Sequence, residues 1–196
     1  TAKSNVTGID EGAVASAAQV RSVYVYEAPV RIWHWVNALA ISVLCITGYL
    51  IGSPLASLSG EASAHFKMGY IRFAHFAAAY VFVIAFLFRI YWAFAGNRYS
   101  LQLFTLPFWR ASFWHELIHE IRWYAFKEVE PHKYIGHNPL AHLFMVVIIT
   151  VGGLVMIVTG FALYSEQTGL GSWQDELFGW VIPFVGQSQD VRMWHH

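Results

Sequence analysis

Two short motifs place a histidine three residues after an arginine, about one turn inside a long apolar run: Arg31-Ile32-Trp33-His34-Trp35 and Arg72-Phe73-Ala74-His75-Phe76. Imidazole inside hydrocarbon is costly, so an intramembrane histidine is a functional candidate by default. Two of them in one pattern, each flanked by an aromatic, point to ligands for a flat, apolar, metal-containing cofactor. Haem fits that description. Cys45 is the only cysteine, which excludes internal disulfides, Cys-rich zinc sites, iron–sulfur clusters and covalent C-x-x-C-H attachment. Any haem is therefore non-covalent and b-type.

The elements that carry these histidines must span a membrane. Of the 196 residues 57% are hydrophobic and only 12% charged, against about 25% charged in an ordinary soluble domain. Three stretches, roughly 32–51, 71–95 and 140–164, are long and apolar enough for helices crossing a hydrocarbon core ~30 Å thick. Alternating barrel patterning is absent, and an open backbone cannot be satisfied in lipid, so the expected class is an all-α membrane protein. The formal net charge is zero, which suggests no polyanionic partner and no nucleic acid.

Lysines and arginines set the expected orientation. Lys3, Arg21 and Arg31 precede the first span, and Arg98, Arg110, Arg122, Lys127 and Lys133 lie in the second connection, with Arg89 close by. The other side holds only Lys67, Arg72 and Arg192. The positive-inside rule then makes the N-terminus and the second connection cytoplasmic. Residues 1–23 lack the basic start and apolar stretch of a signal peptide and read as a mobile polar cytoplasmic tail. Residues 24–196 read as one transmembrane domain. Within the second connection, Pro107 to Lys127 spaces Trp109, Phe113, Trp114, Leu117, Ile118, Ile121 and Tyr124 as an amphipathic helix lying in the interface.

Depth separates the histidines. His34 lies near the cytoplasmic end of its span, whereas His75 lies near the outer end of an inward-running one. They cannot share an iron, so two haems are implied if both are ligands. Met193-Trp194-His195-His196 would begin a fourth, inward-running span at about residue 193, level with His75. The expectation is a longer natural protein whose fourth span is cut after its first residues here. His137 and His142 flank the start of the third span, with Asn138 suited to cap it and Pro139 to its first position; they could ligate, shuttle protons or rest at the headgroups. Gly48 in Ile46-Thr47-Gly48-Tyr49 and Gly160 in Val158-Thr159-Gly160-Phe161 echo one another. Each would admit either a flat ligand or a neighbouring helix. His115-Glu116-Leu117-Ile118-His119 matches H-E-x-x-H, a zinc-hydrolase pattern with two imidazoles on one helix face, though no compelling third ligand follows. A transporter would want paired charges or broken helices near the midplane, and Arg89 alone gives that little support.

Several segments in order resemble the membrane cytochrome b subunit of respiratory nickel–iron hydrogenases, a cytochrome b561-like four-helix family. They are residues 24–35, 60–62, 68–76, 89–93 with 96–100, 136–141, 159–164 and 194–196. The resemblance implies a transmembrane four-helix bundle holding two b haems in a bacterial inner membrane, beside the iron–sulfur small subunit and the nickel–iron large subunit. It implies that His75 and His195 ligate the outer haem and His34 the inner one. The second inner ligand of that family falls about fourteen residues beyond the position of His195, a rise of ~21 Å. It further implies electron transfer to a membrane quinone, with His137 and Asn138 as candidate aids to quinone binding or proton uptake. A cytochrome b subunit of another respiratory dehydrogenase, such as formate dehydrogenase, would use the same ligand logic.

Overall fold

The computed structural model describes residues 24–54 and 65–196. The N-terminal tail at 1–23 and the Gly60-Glu61-Ala62 part of the first connection lie outside them. Three helices are long and apolar enough to cross a membrane: α1 (Ala28–Gly52), α2 (Lys67–Ala95) and α4 (Pro139–Thr168). Between α2 and α4 come a 3-10 turn at Ser100–Leu103 and the amphipathic helix α3 (Ala111–Tyr124). Short helices α5 (Trp173–Phe178) and α6 (Val181–Val185) follow α4, and α7 (Ser188–His195) ends the chain. No strand occurs among the described residues.

The first two spans start four residues earlier than hydropathy alone suggests, and the reason is local chemistry. Pro29 occupies the first turn of α1, where its missing N–H costs no helical hydrogen bond. The preceding Glu27 does not cap its own helix; its Oε2 accepts from Trp92 Nε1 at 3.0 Å and from the Asn97 amide at 3.1 Å. That carboxylate ties the start of α1 to the end of α2, and the two helices pack along their length.

Asn138 caps α4 by accepting from the Ala141 amide at 2.7 Å, with Pro139 next in the first turn. From Met145 to Gly152 the helix widens into a π-helical stretch, where Thr150 Oγ1 donates to the Leu103 carbonyl at 2.7 Å. Gly169, at φ +85°, ends α4 in a conformation that side chains resist.

The exterior is apolar, and the interior mixes apolar with several polar side chains. Asn37, Thr47, Arg89, Thr159 and Ser165 are buried, whereas Leu39, Ile84 and Phe94 stand exposed. A contiguous apolar exterior on this scale is the signature of a lipid-facing surface. Helices α2 and α4 meet through aromatic side chains, Phe76 on Tyr164 at 4.8 Å and Tyr80 on Phe161 at 5.9 Å. Helix α3 turns Phe113, Leu117 and Glu120 inward and leaves Trp114, Ile118 and Ile121 outside, as an interfacial amphipathic helix requires.

Helix α7, expected to open a fourth span near residue 193, begins at Ser188, five residues earlier. A capping box accounts for the difference. Gln187 and Asp190 exchange side-chain and backbone hydrogen bonds at the helix start, satisfying amides that would otherwise be orphaned.

Candidate haem site

His75 on α2 and His195 on α7 come together, their ring centroids 6.4 Å apart and their planes at 73°. Imidazole nitrogens sit about 2.0 Å from a bound first-row metal and about 1.2 Å from their own ring centre, so two rings sharing one metal stand about 6.4 Å apart. The observed separation fits a bis-imidazole iron.

The surroundings of the two rings repeat. Thr47 Oγ1 lies 2.9 Å from His75 Nδ1, and Thr159 Oγ1 lies 2.9 Å from His195 Nδ1. Each threonine also donates back along its helix, Thr47 to the Val43 carbonyl at 2.6 Å and Thr159 to the Val155 carbonyl at 2.7 Å. A hydroxyl has one proton. With that proton committed to the carbonyl, the oxygen accepts from Nδ1–H, and the tautomer follows: Nδ1 carries the hydrogen and Nε2 keeps its lone pair for a metal. Such a partner both orients the ring and raises its basicity as a ligand.

The glycine after each threonine faces the imidazole: a Cβ at Gly160 would crowd His195 Cε1 at 3.0 Å, whereas one at Gly48 would meet His75 Cε1 at an ordinary 3.5 Å. The repeated Thr-Gly pair is thus a cradle for a histidine of the neighbouring helix. The sequence showed the repeated glycines; the threonines beside them are the functional residues it left unread. Replacing Thr47 or Thr159 by Val keeps the shape and removes the hydrogen bond. Each change is expected to weaken haem retention about 10- to 100-fold, measured as haem transfer to apomyoglobin, with the helical circular dichroism unchanged.

His34 is not part of this pair. It is exposed on α1, edge-on to Trp35 at 5.6 Å. Thirteen residues separate it from Thr47, a rise of about 20 Å along the helix. At that end of the molecule, His137 Nδ1 lies 2.8 Å from the Tyr26 hydroxyl. Burial, reinforced by the nearby His142, holds the His137 pKa below the usual histidine value, and burial raises that of Tyr26. The Asn138 side chain is fully engaged, its oxygen capping α4 and its Nδ2 donating to Glu120 Oε2 at 3.3 Å. Tyr134 is pushed up to about 12 by burial and by the adjacent Glu120 and Glu116 carboxylates.

The H-E-x-x-H segment gathers no metal centre. His119 stacks on His132 at 3.8 Å, and His115 Nδ1 sits 3.3 Å from the Ala111 carbonyl of its own helix. Among the described residues no three His, Cys, Asp or Glu side chains converge to hold an ion.

Residues 25–196 match the model of a family described as prokaryotic cytochrome b561. The chain belongs to that family. The cytochrome is 59% identical over 192 residues to a probable Ni/Fe-hydrogenase B-type cytochrome subunit of Cupriavidus necator, covering 98% of this chain and 79% of the relative. It is 61% identical over 175 residues to the corresponding probable subunit of Azotobacter vinelandii, covering 89% and 73%. A probable Ni/Fe-hydrogenase 1 B-type cytochrome subunit of Escherichia coli K12 is 50% identical over 180 residues, covering 90% and 75%. With three spanning helices, the cytochrome is a multi-pass membrane protein.

Proposed function

We propose that this cytochrome is the di-haem membrane anchor of a nickel–iron hydrogenase, residues 24–196 forming a single haem-binding domain in a bacterial inner membrane with the N-terminus cytoplasmic. The names of its relatives support the hydrogenase partners, an iron–sulfur small subunit and a nickel–iron large subunit. The His75–His195 pair supports the outer haem, and the depth of His34 supports an inner one. Haem b, when bound, supplies reversible one-electron iron chemistry that links the iron–sulfur subunit to a membrane quinone. The protein on its own is an electron-transfer subunit; hydrogen is oxidised in its partner.

The chain's own residues then have distinct tasks. His75 and His195 would hold the iron through their Nε2 atoms, and a haem held by two imidazoles would serve electron transfer over binding of small ligands. Thr47 and Thr159 hold those rings in the ligating tautomer. At the other end His137, kept neutral by burial and by His142, and the Tyr26 hydroxyl form a donor–acceptor pair where a quinone undergoing reduction must collect protons. Asn138 fixes that corner by joining α4 to Glu120.

The single observation carrying this reading is the twin threonine-held imidazoles, 6.4 Å apart. A reduced-minus-oxidised visible spectrum of the purified membrane protein, with haem and zinc counted per chain, tests it. Split b-type bands and two haems per full-length protein are expected. Absence of haem together with stoichiometric zinc would overturn the reading and redirect attention to His115 and His119.

A further inference from the structure

Arg89 is the most confined cation in the described part of the molecule. It continues the inward stripe of α2 that begins at His75 and runs through Phe82 and Phe86, the spacing of one helix face. Only 3% of it is exposed. Its Nη2 donates to the Ser100 carbonyl at 2.6 Å. Its guanidinium is held between the rings of Trp33 and Phe104, 5.5 and 5.6 Å from their centroids. Yet Nε and Nη1 are buried without an acceptor among the described residues. Neither ion pair there, Arg122 with Glu128 and Arg192 with Glu166, involves it.

Those two nitrogens point to different sides of the planar group, and each offers an anionic oxygen one charge-assisted bond. A buried guanidinium needs a formal negative charge, because a neutral acceptor leaves its desolvation cost uncompensated. A quinone oxygen would not answer that need. The surrounding donors agree, since the Trp33 indole N–H is also buried and unpartnered. Trp33 immediately precedes His34, so the guanidinium lies against the helical turn that carries the residue read as the inner haem ligand. Fourteen residues separate Arg89 from His75, and thirteen separate His34 from Thr47, the partner of His75. At 1.5 Å per residue Arg89 and His34 are therefore at about the same depth.

We propose that Arg89 is the seat of a propionate carboxylate of the inner haem, bound through a charge-assisted hydrogen bond from Nε or Nη1 while Trp33 and Phe104 flank the guanidinium. This rests on the reading of His34 as an inner haem ligand. Arg89 is a cofactor-binding residue in this account and takes no part in ligating the iron.

The test is the redox-difference infrared spectrum of the intact haem-loaded cytochrome, grown so that the haem propionates carry ¹³C in their carboxyl groups. Isotope-sensitive carboxylate bands that vanish in His34→Ala belong to the inner haem. Arg89→Gln is expected to shift at least one of these bands and leave the outer haem's bands in place. Arg89→Lys, which keeps the charge but loses the fork, should give a smaller shift, and it decides the matter if Arg89→Gln retains no inner haem. Unchanged isotope-sensitive bands overturn the proposal. So does a shift confined to bands insensitive to the label, which would make the partner a side-chain carboxylate. Retention of every haem band in His34→Ala would refute the underlying reading of His34, a result separable from the other two.

Discussion

Replacing His75 by Ala is expected to remove one haem per chain and leave the other in place. The physical case is that Thr47 keeps its bond to the Val43 carbonyl without the imidazole, so α1 and α2 lose a ligand but not their packing. His195 alone offers one axial nitrogen, and a single imidazole cannot hold a low-spin b haem against exchange. His195→Ala should produce the same loss, since the two rings form one site. The measurement is haem per chain by pyridine haemochrome, with the visible spectrum showing which component is gone. Full haem content in the His75 variant would sink the assignment. Hydrogen-dependent reduction of the remaining haem should also stop, because the outer haem is the proposed point at which electrons enter.

Replacing His34 by Ala is expected to give the complementary pattern. The inner haem is lost, the outer haem remains, and the outer haem is still reduced by hydrogen when the partner subunits are present. Quinone reduction falls to background. His34 is exposed, so the variant should fold with its helices intact. Stopped-flow reduction of the single remaining haem, beside a quinone assay, separates this outcome from general damage. If both haems survive in the variant and quinone reduction continues, His34 is not a ligand. Together the two variants order the sites: one blocks input, the other output.

Much of the architecture was legible because lipid imposes a strong rule on sequence. A helix in hydrocarbon must be long and apolar, and the three long stretches announced themselves by that alone. Their ends did not. The start of α1 depends on Glu27 reaching Trp92 and Asn97, which lie at the far end of another helix. The start of α7 depends on the Gln187–Asp190 capping box, a signal present in the sequence but masked by attention to the apolar residues that follow. Helices α5 and α6 were not anticipated; they are too short to show a period, and contact with α4 sustains them. The π-helical stretch of α4 has no signature in its run of Met, Val and Ile.

Residue types and spacing determined that this chain spans a membrane, carries histidines at two depths and holds its haem without covalent attachment. Those conclusions follow from composition and from the cost of imidazole in lipid, neither of which needs coordinates. The tertiary structure brought His75 to His195, as the resemblance had implied, and it alone decided that Thr47 and Thr159 settle which nitrogen of each ring is free. It also decided that Arg89 is sealed between Trp33 and Phe104 with two donors to spare. Periodicity assigns a residue to a face of its own helix. What that face meets is set by how helices far apart in sequence pack, and a hydroxyl's single proton acquires its meaning only once both of its neighbours are in place.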